Sequence, residues 1–184
     1  MATSTKFVGT AANDASWGGH AWSSASNVTA DDGASATAGA IGEEDDTQYL
    51  KGTMAGNVFA VPAGATVDGV EVVVKRRDAV SPVGEVIDAE VRLVKGGVID
   101  GDDKADVGTA WPASFGAKTY GGPSDLWGLT LTADDVNASN FGAALRAYCN
   151  STAAEPRVDY ISITVYYTAP SGAASATVML MGGD

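Results

Sequence analysis

The residues able to do chemistry are few and scattered. His20 is the single histidine, set in Trp17-Gly18-Gly19-His20-Ala21-Trp22. A hydrolytic triad built on it would need a serine on a strained elbow, and no G-x-S-x-G occurs. Cys149 is the single cysteine, so no intrachain disulfide can form. It falls on the apolar side of an alternating stretch, a place for a small buried hydrophobe rather than a nucleophile. Asp100, Asp102, Asp103 and Asp106 surround Gly101 with the oxygen ligands that calcium prefers. Trp111, however, stands where an EF-hand loop would place its closing glutamate, so a solvated acidic turn is expected, and no metal or cofactor. Glu43-Glu44-Asp45-Asp46 reads the same way. A different chemistry is open to Trp111, Phe115, Tyr120 and Trp127, which, if exposed and coplanar, would make a stacking platform for a sugar. No catalytic residues are expected, and the chain reads as not an enzyme.

The elements that must carry these residues are strands. In Arg157 to Thr168, Ile161, Ile163, Val165 and Tyr167 alternate with Ser162, Thr164, Tyr166 and Thr168, the period of two of a half-buried strand. Val70, Val72 and Val74 alternate in the same way after the Pro62-Ala63-Gly64 turn. Val86 to Lys95 predicts a third strand with Ile87, Ala89, Val91 and Leu93 inward and Asp88, Glu90 and Arg92 outward. Phe141 to Cys149 predicts a fourth, and Thr47 to Thr53 a short fifth. Leu129 to Thr132 suits a brief strand, and Thr132-Ala133-Asp134-Asp135 has the spacing of a helix cap, predicting one or two turns from Ala133. Between Val98 and Gly128 the pattern is irregular, an excursion over the sheet. Clean alternation, irregular spacing and no long helix together predict an all-β fold, an antiparallel jelly-roll-like β-sandwich over residues 47–168.

The ends read differently. Residues 1–46 are rich in Ala, Gly, Ser, Thr, Asn and Asp, with Trp17 and Trp22 as large anchors, which predicts an extended arm or a loop-rich strand pair laid on something else. Residues 169–184 read as a linker and a short apolar tail. Trp17, Trp22, Val178, Met179, Leu180 and Met181 are the candidate contacts to a neighbouring subunit or capsid, because aromatic and Met-rich anchors dominate interface energetics. The formal net charge of −12 opposes binding to nucleic acid, and no stretch of the 184 residues reaches membrane-spanning length. No basic leader followed by an apolar run opens the sequence.

Five runs carry a resemblance: PAGATVDGVEV from Pro62, VRLVKGG from Val91, YGGPSDLWG from Tyr120, DDVNASNFG from Asp134 and VDYISITVYYT from Val158. In this order they resemble a jelly-roll-like domain of virion structural proteins in tailed phages and prophages. The resemblance covers roughly residues 47–168. It implies a capsid decoration or cement protein on the outer capsid surface, whose partners are the major capsid protein and its own copies, as a homotrimer. The alternative is a carbohydrate-binding or receptor-binding module of a fibre or tail.

Overall fold

The computed structural model describes residues 1–80, 86–150 and 154–170. Two five-stranded antiparallel sheets pack as a sandwich. In the first, β1 (Ala2–Phe7), β10 (Pro156–Thr168), β5 (Thr66–Asp78) and β8 (Gly116–Gly122) lie side by side, and the short β3 (Ala36–Thr37) also pairs with β10. In the second the order is β2 (Thr10–Asp14), β4 (Tyr49–Thr53), β9 (Gly142–Cys149), β6 (Val86–Lys95) and β7 (Val98–Asp100). Helix is confined to a 3-10 turn at Ala25–Val28 and to α1 (Ala133–Asn137). Thr132 caps α1 in a reciprocal box, its hydroxyl accepting from the Asp135 amide while the Asp135 carboxylate accepts from the Thr132 amide.

The centre of the first sheet is the pairing of β5 with β10, continuous from Asp78 against Pro156 to Thr66 against Thr168 apart from two bulges. Val70, Val72 and Val74 of β5 and Ile161, Ile163 and Val165 of β10 are all fully buried. They meet Leu50, Val91, Leu93, Leu145 and Ala147 of the second sheet in one core. Each such side chain contributes about 1.5–3 kcal/mol by leaving water.

Three expectations are corrected. Residues 1–46 hold strands, as the strand-pair reading expects, but they are neither an arm nor a separate pair laid on another body: β1 pairs with β10 over six residues, and β2 pairs with β4 on the other sheet. An edge strand draws its stability from a hydrogen-bond ladder on one side and needs few large side chains, so a run of Ala, Thr and Ser suffices. The phase of β6 changes midway, because a bulge between Asp88 and Glu90 adds a residue against β9. Val91 and Leu93 point inward as expected, while upstream of the bulge the inward residues are Val86 and Asp88, and Ile87 and Ala89 are only half-buried. The irregular stretch from Val98 to Gly128 holds two strands, β7 and β8, the second glycine-rich and lacking an apolar alternation. Leu129 to Thr132 contributes a single bridge, Thr132 to Thr66. Parts of the loops expected around 81–85 and 151–153, and the tail with Val178, Met179, Leu180 and Met181, lie outside the described residues.

Candidate functional site

Of the candidate contact residues within the described chain, Trp17 is presented to solvent and Trp22 is not. Trp22 is buried in its own core, its indole nitrogen donating to the Gln48 carbonyl at 2.8 Å. Its backbone is held by the Asn13 side chain, which accepts from the Trp22 amide at 2.7 Å and donates to the Trp22 carbonyl at 2.8 Å. An amide side chain thus continues the edge of β2 as a strand would, and Trp22 is withdrawn from any partner.

Trp17, by contrast, is 59% exposed. Its loop is nevertheless fixed on both sides. Before it, the Ser16 amide donates to the Asp14 carboxylate at 3.1 Å. After it, Gly18 adopts φ +80°, and a Cβ there would sit 2.0 Å from the Thr47 carbonyl oxygen, so no other residue fits. The Gly19 and His20 amides both donate to the Asp46 carbonyl. The ring lies over the outer face of the second sheet, where the Arg146 guanidinium sits 5.4 Å from Trp17 and 5.9 Å from Tyr49. Arg146 is held by Asp46 at 2.9 Å and, more loosely, by Glu90 at 3.7 Å. Tyr49, Val94 and Ala144 form a small apolar cluster on the same face, backed by Ile99 of β7. Nearby, the Lys51 ammonium bonds the Asp14 carboxylate at 2.8 Å and, with the Ser16 contacts, holds it at a pKa of about 2. The arrangement is a rigid exposed aromatic with an acidic rim, able to dock against a surface.

The expected sugar platform is not on the surface. Trp111, Tyr120 and Trp127 are buried, and only Phe115 is partly exposed. Their polar edges explain why. Asp88, turned inward by the β6 bulge and fully buried, accepts from the Arg76 guanidinium, from the Trp111 indole at 2.8 Å, from the Tyr120 hydroxyl at 3.0 Å and from the Asp106 amide at 2.9 Å. Arg76 is itself 2% exposed and stacks on the Trp111 ring at 4.8 Å. Burial leaves the Asp88 carboxyl above the usual carboxylate range, although Arg76, the Asp106 amide and the Tyr120 hydroxyl work against it. Every neighbour is a donor, so the knot is built for the carboxylate. Burial, with the charge of Asp88 beside it, drives the Tyr120 hydroxyl well above the usual phenol range. Trp127 adopts φ +58° and donates from its indole to the Val70 carbonyl at 2.8 Å. A Cβ on Gly121 would lie 2.5 Å from that indole nitrogen, which accounts for a glycine there.

The aspartates around Gly101 are each spent within the loop. Asp103 accepts from the Val91 and Ala105 amides, Asp100 from the Gly101 amide, Asp102 pairs with Lys104 at 3.5 Å and Asp106 with Lys118. Among the described residues no group of three or more metal-ligating side chains converges. The His20 ring pairs with the Asp45 carboxylate at 3.2 Å, and Cys149 is buried on the inner face of β9. Sequence reading placed Asp88 outward and gave Arg76 no role, whereas both are buried. The signal was there as two charged residues, Arg76 and Asp78, continuing the inward phase of Val70, Val72 and Val74.

The five runs listed from the sequence occupy framework positions. Trp127 and Asp125 of YGGPSDLWG bond the backbone of Val70 in PAGATVDGVEV, and Asn137 of DDVNASNFG clamps the Val61 backbone with both ends of its amide, at 2.9 and 2.8 Å. Comparison of the chain with protein-family models, with curated proteins and with solved structures finds no match.

Proposed function

We propose that this chain is a structural protein of a phage virion, a jelly-roll decoration or cement protein that binds the capsid lattice and its own copies without catalysis. The observation that carries the reading is Trp17: a large aromatic held rigid yet 59% exposed on the outer face of the second sheet. A ring already ordered loses little conformational freedom on docking, which is the property of an interface anchor. The strand order supports the jelly-roll part. Setting aside β2 and β3, β1-β10-β5-β8 faces β4-β9-β6-β7, and the chain crosses between sheets after β1, β4, β5, β7, β8 and β9. That is the winding of two interlocked Greek keys, used by capsid and lectin domains. The five runs from Pro62 to Thr168 support the particle part. The mechanism is mass action, since a protein that binds only the assembled lattice stabilises it by its own binding free energy. The acidic rim of Asp14, Asp46 and Glu90 and the net charge of −12 favour a basic surface on the lattice.

Localisation on isolated particles tests this. Antibody labelling should mark the capsid surface, and the purified chain should have three times its 18.5 kDa mass in solution. Trp17→Ala should lower particle occupancy at least tenfold with the fold intact. Label on tail fibres, or none on particles, overturns the reading.

A further inference from the structure

The opposite face of the sandwich carries a cleft of about 260 Å³, formed where β1, β10 and two distant loops meet. Its floor is aromatic. Phe7 and Tyr160 are both half-buried, with ring centroids 5.3 Å apart at an interplanar angle of 73°. Tyr160 owes its place to a bulge in β10, where Asp159 turns inward, fully buried, and is held by the Gly33 amide at 3.1 Å and the Lys75 ammonium at 2.8 Å. Lys75 in turn reaches within 5.7 Å of the Tyr160 ring centre and pairs with Asp31.

The rim is polar. Asn57 donates from its side chain to the Phe7 carbonyl at 3.2 Å, which fixes the amide at the cleft. Its oxygen, the second oxygen of Asp31, the Tyr160 hydroxyl and the Ser162 hydroxyl have no hydrogen-bond partner among the described residues. Here two rings and four open donors or acceptors share one hollow.

We propose that this cleft binds a single neutral pyranose. A pyranose has an apolar C–H face to lie on the Tyr160 ring, with Phe7 set nearly edge-on as a wall beside it, and hydroxyls around its edge for Asn57, Asp31 and Ser162. The volume lies below the roughly 300–1,000 Å³ of pockets for drug-sized ligands, so it suits one ring unit. The charges at the cleft cancel, Lys6 and Lys75 against Asp31 and Asp159, and the whole-protein charge of −12 repels phosphorylated ligands. So small and open a site binds with a Kd on the order of millimolar. The site is independent of Trp17, which sits on the other sheet.

Saturation-transfer NMR on the full chain with the methyl glycosides of glucose, galactose, mannose and N-acetylglucosamine tests it. Transfer to at least one glycoside is expected, falling at least tenfold in Tyr160→Leu and in Asn57→Ala and unchanged in Trp17→Ala. Asn57 is exposed, so its variant keeps the test valid if Tyr160→Leu fails to fold. Absence of transfer from every glycoside at about 10 mM, transfer that survives Asn57→Ala, or transfer to adenosine alone overturns the proposal.

Discussion

Asp88 shows how a charge can sit at the centre of an apolar sandwich. Its two oxygens take four donors from two strands and the loop between β7 and β8, and Arg76 neutralises it. A buried pair of this kind adds little net stability over a hydrophobic substitute, but removal of one partner strands the other in a low-dielectric interior. Asp88→Ala is therefore expected to destabilise the fold by about 3–5 kcal/mol, read from the shift of the denaturant midpoint. A double variant, Asp88→Leu with Arg76→Met, should recover most of that loss. Equal loss in single and double variants would mean that the knot's value lies in its hydrogen bonds to Trp111 and Tyr120 rather than in charge pairing.

At the scale of elements, the N-terminal strands decide what the molecule is. The chain crosses from the first sheet to the second between β1 and β2, where Val8 is fully buried and donates its amide to the Ile161 carbonyl at 3.1 Å. β1 and β2 thus border the two sheets on one side, and the sandwich is incomplete without them. Deletion of residues 1–14 is expected to give an aggregating chain, since it uncovers the edges of β10 and β4. Hydrogen exchange on the intact protein should show β1 amides protected along with those of β10. A soluble, cooperatively folding truncation would overturn this. The same element logic explains the second sheet, where the bulge in β6 trades one register position for a buried carboxylate.

For the whole molecule, charge sets the response to acid. Asp14 is held at about 2 by Lys51 and Ser16, and Asp106 and Asp135 are also lowered, chiefly by hydrogen bonds from Lys118 and Thr132. A carboxylate whose folded pKa lies below its unfolded value of about 3.9 stabilises the fold above that value, and the contribution is lost as pH falls towards the folded one. Relief of self-repulsion opposes this as the net charge of −12 shrinks. Stability should therefore hold from neutral pH to about 4 and then fall between about pH 4 and 2. Lys51→Met should remove about 1 kcal/mol of that fall, the screened worth of a partly exposed pair. An unchanged acid limb in thermal melts at pH 2–4 would overturn the assignment.

The alternation of Val70, Val72 and Val74 and of Ile161, Ile163 and Val165 was legible in the sequence because a strand with one wet face writes its period into the residues themselves. The cap at Thr132, the buried Cys149 and the absence of an EF-hand closure at Trp111 were legible for the same reason, being local. The fate of Trp22, Trp111, Tyr120 and Trp127 was not, since a ring has the same composition whether it faces water or a buried carboxylate. Nor were β1 and β8 legible: edge strands of Thr, Ala and Gly are specified by the neighbour they pair with. Pairings between Ala2 and Tyr167, or between Arg76 and Asp88 across a bulge, join residues whose contact depends on how the whole sheet is wound. Local periodicity thus determined that this chain is a sandwich, and only the packing of distant strands decided which aromatics are buried and which are left outside.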